Sequence, residues 1–374
     1  MGNQEAVKPK KRLSNSNLLF LIAGVIFVLM YVAAIFIYPE SFLQFQTFFD
    51  LFNNNAPLII MTLGLCIVMI GGGIDISIGS VCGLVTMVCA VLLESGIGSV
   101  LGAWSVLGAI LLAIVTGLAF GLLHGYLVAY LKIQPFIITL AGLFLANGLM
   151  TTIHKDPINV NNVYFKSLME PLKHPDLGTV NRHNVFIPFE IKQGVIIALV
   201  LVGLLVVLMK WTRFGRNVYA VGGNSQSALM LGINVKRTVF FTYVICGLTA
   251  GIAGFVWLLS TGGANVGNAA GFEIKAIASA IIGGTLLNGG VGNLLGSPIG
   301  VVTLGTINEV IRVADIPSNF QTIISGLMLY LFIVLQSIVM SLRSGRKFRI
   351  DLPPWLKPPW LRNRKKEESQ EMKK

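Results

Sequence analysis

Charged residues are scarce in this chain of 374 residues, where Asp, Glu, Lys and Arg make up 12% and hydrophobic residues 54%. Soluble domains carry about 25% charged residues. The 28 basic and 16 acidic side chains are too few to cover one soluble body of this size. The composition therefore excludes an ordinary soluble enzyme and predicts that lipid surrounds most of the chain.

Cysteine and histidine are also rare, with four of each in the sequence. The cysteines lie in apolar runs without the close spacing of a zinc or disulfide framework. No two histidines have the spacing of one helix face. We therefore predict no metal site, and cysteines that act as small hydrophobic residues.

Motifs of catalysis are missing as well. No glycine run ends in Gly-Lys-Ser or Gly-Lys-Thr, so a P-loop for ATP is excluded. A Gly-x-Ser-x-Gly elbow, paired catalytic carboxylates and a zinc-protease helix are absent. We predict no catalytic residue and no cofactor in this chain.

Long apolar runs dominate what is present. Residues 18–38 form a stretch of about 20 residues, the length that crosses a hydrocarbon core as an α-helix. Further apolar segments lie at about 52–70, 76–93, 101–130, 136–152, 194–210, 238–260, 274–287, 294–311 and 321–341. The pattern predicts an all-α, polytopic bundle of about ten transmembrane helices with interrupted Gly-rich segments.

The net charge of +12 is concentrated at the two ends of the chain. Four basic residues precede Leu18 and eleven lie beyond Ser341, so both termini are predicted to be cytoplasmic. We divide the chain into a basic N-terminus (1–17), a membrane domain (18–341) and a basic tail (342–374). These flanks favour contact with membrane lipids and give no reason to expect nucleic acid. The Pro- and Trp-rich tail suits either the headgroup region or a solubilising end.

With an even helix count, residues 153–193 form an outer loop and residues 211–237 a cytoplasmic loop. In the cytoplasmic loop, Asn224 or Ser225 can cap a short helix that Gly232 ends. Ala228, Leu229 and Leu231 give this helix an apolar face. The pattern indicates either a docking element or an amphipathic connector on the membrane surface.

Two glycine clusters interrupt the apolar pattern, at residues 71–80 and 282–293. Interrupted backbone is tolerated in a membrane only where protein buries it or where it lines a wet cavity. Gly73, Asp75, Ser77 and Gly284 are therefore candidate pathway residues. The alternative is a pair of tight surface turns, with Asp75 capping a helix that starts at Ile76.

Neutral amides at apolar depth are further pathway candidates. Asn147, Asn288 and Asn308 suit a route for an uncharged hydroxylated solute, and they equally suit hydrogen bonds between helices. The candidates for a proton-coupling residue in the spans are few: Asp75, Glu94, His124 and Glu309. Coupling to protons is therefore weakly supported.

Four ordered blocks carry a resemblance to a known family. They are Gly72-Gly73-Ile74-Asp75-Ile76-Ser77-Ile78-Gly79-Ser80, Pro135-Phe136-Ile137-Ile138-Thr139-Leu140-Ala141-Gly142, Thr212-Arg213-Phe214-Gly215 with Gly222-Gly223-Asn224, and Ile282-Gly283-Gly284-Thr285 with Gly289-Gly290-Val291-Gly292. From about Leu51 to Leu335 the chain resembles the permease subunits of ATP-binding-cassette (ABC) importers for simple sugars. Within this family, its sequence is most similar to galactofuranose-type permeases, although the tail and the outer loop around residues 173–183 depart from them.

The resemblance implies a role for the chain in sugar import. The chain would form half of a pore in the bacterial cell membrane, with an identical or related permease as the other half. A separate ATPase would bind ATP and Mg²⁺, and an extracytoplasmic binding protein would deliver the sugar, either a pentose or a hexose. The residues that would couple the permease to the ATPase are Asn224, Ser225, Ala228, Gly232 and Ile233. The alternative function is a stand-alone secondary carrier with Asp75 as its ion-coupling group.

Overall fold

The structure, a computed structural model, describes residues 15–180, 186–267 and 269–343. The helices are α1 (Asn15–Ile37), α2 (Pro39–Phe42), α3 (Phe45–Ile70), α4 (Ile78–Glu94), α5 (Gly96–Leu101), α6 (Trp104–Ala129), α7 (Pro135–Ile153), α8 (Val163–Met169), α9 (Gln193–Trp211), α10 (Arg213–Gly223), α11 (Ser225–Met230), α12 (Val235–Thr261), α13 (Phe272–Ile282), α14 (Gly296–Val313) and α15 (Ser318–Arg343). The described residues divide into two units, and the second begins at Leu331 within α15. The predictions for the chain before residue 15 and after residue 343 lie outside the described residues.

Six of the described helices are long and apolar enough to cross a membrane. They are Ser16–Ile37, Phe45–Ile70, Trp104–Ala129, Pro135–Ile153, Gln193–Trp211 and Val235–Thr261. This finding supports a helical, multi-pass membrane protein. The count of ten spans and the orientation of the termini stay predictions.

One of the predicted segments was wrong in detail. The segment at 274–287 is not one span, because α13 ends at Ile282 and its 11 residues rise only about 16 Å. The backbone stops being helical where Gly283 packs directly on the backbone of Gly296. The segment at 101–130 corresponds to the candidate span α6, Trp104–Ala129, and Gly102 with a φ of +55° separates this helix from α5.

The outer loop contains strands that the all-α prediction did not include. Strand β2 (Leu172–Val180) pairs antiparallel with β3 (Phe186–Ile191), and β1 (Ile158–Asn159) pairs with β4 (Gly263–Ala264). The ring of Phe189 in β3 packs against Phe45 and Phe49 of α3, with centroids 5.4 and 4.8 Å apart. This aromatic contact ties the hairpin to the N-terminal end of α3.

Helix α3 lies at the centre of the bundle, where it contacts α9, α12, α13 and α14. Every residue from Ala56 to Ile70 is buried, which explains why the second half of this helix is apolar on all sides. Helices α1, α6, α7 and α9 instead expose large hydrophobic side chains such as Leu29, Val115, Phe144 and Val200. These exposed faces suit contact with lipid.

Helices α6 and α12 approach each other through glycines. A Cβ on Gly247 of α12 would lie 2.6 Å from the Cα of Gly121, and one on Gly117 would lie 2.8 Å from the Cα of Gly251. Such distances leave no room for a side chain. The two helices are therefore held at backbone contact over two turns.

We predict that Gly247→Val weakens the bundle, because the new side chain must separate α6 from α12. Overpacking of this kind costs about 1–3 kcal/mol or more. The thermal midpoint of the purified protein in detergent should fall by several degrees. The matched control is Gly203→Val on α9, where no described atom lies within 4 Å of an added Cβ. Equal midpoints for the two variants would contradict close α6–α12 packing.

Candidate functional site

The first glycine cluster forms a turn that reverses the chain between α3 and α4. Gly71 caps α3, Gly72 has a φ of +85°, and the amide of Gly73 donates to the carbonyl of Val68 at 3.0 Å. The hydroxyl of Tyr243 on α12 donates to the carbonyl of Ile74 at 3.1 Å. A Cβ on Gly73 would lie 2.5 Å from that hydroxyl oxygen, so a side chain at this position would displace Tyr243.

Asp75 is buried in this turn, with 3% of its surface exposed. Its Oδ1 accepts hydrogen bonds from the backbone amide of Ser77 at 2.9 Å and from the Ser77 hydroxyl at 2.6 Å. Helix α4 begins at Ile78, so the expectation of a start at Ile76 was wrong by two residues. The carboxylate orders the turn before α4, and it does so inside the protein.

His124 of α6 faces the same carboxylate. Its Nδ1 lies 3.9 Å from Asp75 Oδ2 and 3.4 Å from the Ser77 hydroxyl, whereas its buried Nε2 has no partner among the described residues. A Cβ on Gly142 would overlap the imidazole ring. The glycine of the Pro135–Gly142 block therefore makes room for a histidine whose pairing with Asp75 the sequence did not reveal.

The second cluster forms an irregular segment between α13 and α14. Gly284, Gly289 and Gly290 have φ values of +92°, +79° and +71°. The amide of Gly290 donates to the carbonyl of Ile70 at 2.8 Å, and Ile70 is the last residue of α3. This hydrogen bond joins the second interrupted segment to the first.

Residues 211–237, the predicted cytoplasmic loop, meet both interrupted segments through α10. A Cβ on Gly222 would overlap the carbonyl of Ile70 and would lie 2.7 Å from the amide nitrogen of Gly290. A Cβ on Gly289 would lie 2.8 Å from the Cα of Gly72. In addition, the Tyr219 hydroxyl donates to the carbonyl of Gly292 at 3.0 Å. We call this meeting of Gly72, Gly222, Gly289 and Gly290 the glycine junction.

Helix α11 follows directly after α10 and begins as the sequence predicted. The side chain of Asn224 accepts from the amide of Ser227 at 2.9 Å, and Gly232 ends the turn with a φ of +78°. The amide of Ile233 closes the end of the helix by donating to the carbonyl of Ala228 at 3.1 Å.

The apolar residues of α11 do not share one buried face. Ala228 is buried, whereas Leu229 and Leu231 are 64% and 79% exposed, and Met230 between them is 87% exposed. Of the three residues of the predicted apolar face, Ala228 therefore packs against the protein, whereas Leu229 and Leu231 lie at the surface. Together with Met230, these two exposed residues form an apolar patch at the surface.

The remaining predicted pathway residues lie apart from one another. Asn147 is half-buried on α7, and Asn288 is exposed in the second interrupted segment. Gly284 packs against Leu19 of α1, where an added Cβ would lie 2.8 Å from the Leu19 Cβ. Asn308 lies near the far end of α14. The structure thus groups Gly73, Asp75 and Ser77, and it does not bring all the candidates to one site.

Sequence reasoning overlooked Glu273 at the start of α13. Its Oε2 is buried without a partner among the described residues, and a Cβ on Gly79 would lie 2.5 Å from it. Lys275 lies two residues further, with its Nζ 4.7 Å from the centre of the Phe272 ring. Glu273 adjoins the predicted span 274–287, and Lys275 falls within it. Charged residues at a predicted span are unusual, and they were the sequence signal that could have identified this site. Within the described ranges, no group of three His, Cys, Asp or Glu residues could hold a metal ion.

We predict that Gly222→Ala loosens the glycine junction, because the methyl group displaces the Ile70 carbonyl from the Gly290 amide. Amide hydrogen exchange in residues 284–292 should become at least fivefold faster, which corresponds to about 1 kcal/mol of lost stability. Gly223→Ala is the matched control, since no described atom lies within 4 Å of a Cβ there. Unchanged exchange in Gly222→Ala would show that the junction tolerates separation.

Comparisons with known proteins agree with this architecture. Residues 47–333 match the family model described as branched-chain amino acid transport system / permease component. The chain is 32% identical over 345 residues to the fructose import permease protein FruG of Bifidobacterium longum, covering 91% of this chain and 97% of that protein. It is 34% identical over 334 residues to the inner membrane ABC transporter permease protein YjfF of Escherichia coli, covering 88% and 95%. It is also 28% identical over 322 residues to the Escherichia coli ribose import permease protein RbsC, covering 84% and 92%.

These relatives are translocation subunits and not enzymes. They confirm the predicted resemblance to permease subunits of simple-sugar ABC importers. Together with the six candidate spans, they place the protein in the bacterial inner membrane as a multi-pass protein. The chain therefore belongs to the family of branched-chain amino acid transport system permease components.

Proposed function

We propose that the protein translocates a simple sugar into the cytoplasm as one of two permease subunits of an ATP-driven importer. Its relatives include proteins named as fructose, ribose and D-allose permeases, which supports a pentose or hexose as the solute. The second permease is a further copy of this chain or a related chain. The narrower expectation of galactofuranose stays a prediction.

The observation that carries this proposal is the exposed apolar patch on α11. Leu229, Met230 and Leu231 project from a short helix that is capped at both ends. A run of exposed apolar residues on a rigid, capped element suits a protein partner. A cytoplasmic ATPase that docks here supplies the energy, and it binds the ATP and Mg²⁺ for which this sequence has no P-loop.

The glycine junction connects the proposed docking element α11 to the interrupted segments, so that a movement of α11 can reach them. Helix α10 joins α11 directly, and its Gly222 contacts both interrupted segments. When the ATPases close on ATP, a shift of α11 moves α10 against the ends of α3 and the α13–α14 segment. Access then alternates between the outer and cytoplasmic sides, and a binding protein outside delivers the sugar.

The alternative secondary carrier requires an ion-coupling group that can exchange its ion. Asp75 is buried, and its Oδ1 already accepts two hydrogen bonds from Ser77. These bonds favour an ordering role in the turn. Asp75 is therefore a weaker basis for a function than the exposed patch on α11.

The test is purification of the tagged chain in mild detergent, followed by reconstitution into liposomes. We expect an ATPase subunit to copurify, and we expect sugar uptake only with ATP and the binding protein. Purification of the chain alone, combined with solute movement in liposomes without ATP, would favour the secondary carrier.

Replacement of Gly232 tests the coupling role of α11. A φ of +78° strains any L-residue, and the left-handed region costs about 1–2 kcal/mol, so Gly232→Val should distort the helix end. Uptake should fall at least tenfold while membrane insertion stays normal. Gly24→Val on α1 is the control, because no described atom lies within 4 Å of a Cβ there. Normal uptake by Gly232→Val would contradict the coupling assignment.

Asp75→Asn separates transport from assembly. The amide keeps the size of the side chain and one acceptor oxygen, but it removes the negative charge facing His124. We expect uptake to fall several-fold more than the amount of protein in the membrane. Equal losses of the two would identify Asp75 as a purely structural residue.

A further inference from the structure

A cavity of about 360 Å³, lined by both polar and apolar residues, lies between the N-terminal part of α3 and the C-terminal part of α14. The polar residues that line it are Asp50, Asn54, Asn55, Asn308, Glu309 and Arg312. Its volume falls in the range of about 300–1,000 Å³ that small-molecule sites occupy. Three amides, two carboxylates and one guanidinium therefore converge on a space large enough for one sugar ring.

Asn308 provides a binding group without a partner. Its Oδ1 is buried and has no hydrogen-bond partner among the described residues. An unpaired buried acceptor costs about 1–3 kcal/mol, so such groups are rare unless something else satisfies them. A hydroxyl group of a solute in the cavity would do so.

The other polar groups are held in place by the protein. Asp50 Oδ1 accepts from the amides of Gln46 at 2.7 Å and Asn53 at 3.1 Å, and Glu309 forms an ion pair with Arg312. These charges have partners before any solute arrives. The cavity therefore suits a neutral, polyhydroxylated solute better than an ion.

Packing also fixes the side-chain amide of Asn55, which lines the cavity. Asn55 Nδ2 donates to the carbonyl of Leu51 at 2.7 Å, and a Cβ on Gly305 would lie 2.8 Å from that nitrogen. Only glycine at position 305 leaves space for the Asn55 side chain. The orientation of Asn55 thus depends on both helices that form the cavity.

The cavity lies at the end of the bundle that carries the outer loop. The amides of Gln46 and Asn53 donate to the carbonyl of Glu190 in β3, at 3.1 and 3.0 Å. The glycine junction lies at the opposite end of α3, because Asp50 and Ile70 are about 30 Å apart along this helix. A second cavity of about 610 Å³, also lined by Arg312, lies next to it.

We propose that this cavity, built around Asn308, binds the hydroxyl groups of the sugar as it enters the permease from the outer side. The inference rests on the proposed function and assigns a solute-contacting site to it. Amides and carboxylates act as hydrogen-bonding partners for adjacent hydroxyls, while Glu309 is neutralised by Arg312 and the Asp50 carboxylate is held by two amide donors.

The experiment uses the complete importer in liposomes, with ATPase and binding protein present. The probes are radiolabelled D-fructose, D-ribose, D-allose and D-galactose. Asn308→Leu keeps the approximate volume of the side chain but removes its hydrogen-bonding groups. We expect uptake of the transported sugar to fall at least tenfold, while ATP hydrolysis stimulated by the binding protein changes less than twofold.

Two further variants distinguish binding from folding. Thr306→Val removes a buried hydroxyl from the same helix, but this hydroxyl bonds only the carbonyl of Val302 and does not line the cavity, so uptake should be normal. Asn54→Leu changes an exposed lining residue whose Oδ1 accepts from Lys192 at 3.4 Å, and it should lower uptake in the same way as Asn308→Leu.

The possible results distinguish an error in the cavity assignment from an error in the proposed function. Wild-type uptake with normal uptake in both leucine variants would overturn the cavity assignment alone. Loss of stimulated ATP hydrolysis in parallel with uptake would also overturn it, because it would identify the surface as a docking site for the binding protein. Failure of the wild-type importer to take up any probe in the presence of ATP would overturn the proposed function itself.

Discussion

The hydrogen bond from the Gly290 amide to the Ile70 carbonyl shows the constraint on which the interior depends. Lipid offers no partner for a backbone amide or carbonyl, so a chain that leaves the helix inside a membrane protein must be satisfied by other protein groups. Here the end of one helix and an irregular segment more than 200 residues later satisfy each other. Glycine is required because this bond brings backbones into direct contact at Gly72, Gly222 and Gly289.

The same constraint explains why the loop that contains α10 and α11 cannot move independently of the helices it contacts. A contact made by side chains can adjust by changing rotamers, but a contact between backbones moves the elements that carry them. Gly222 lies against both Ile70 and Gly290, so a displacement of α10 reaches α3 and the α13–α14 segment together. A partner that pushes on α11 therefore acts on two interrupted segments through one junction.

Local features of this protein could be predicted from sequence, and long-range ones could not. Apolar runs predicted the main helices, and Asn224 with Gly232 predicted the bounds of α11, because periodicity and capping act within a few residues. The pairing of Asp75 with His124 joins residues 49 positions apart and depends on the space left by Gly142. The β2–β3 hairpin depends likewise on Phe189 packing against α3, and this contact cannot be predicted from the sequence of a polar loop. The early end of α13 follows from backbone contact between Gly283 and Gly296, which only the folded chain reveals.

The placement of polar groups along α3 links selectivity to energy use. Its junction end is apolar and backbone-bonded, whereas its other end carries Asp50, Asn54 and Asn55 beside the cavity. A neutral sugar offers no charge by which a membrane protein could attract it, so recognition must come from hydrogen bonds with fixed geometry. Groups already paired within the protein, such as Asp50 with Gln46, supply that geometry without binding ions strongly. In the proposed mechanism, α3 connects the cavity to the glycine junction, so a shift at the junction is transmitted along this helix toward the cavity. The release of a weakly held solute would then be coupled to the closure of the proposed ATPase partner.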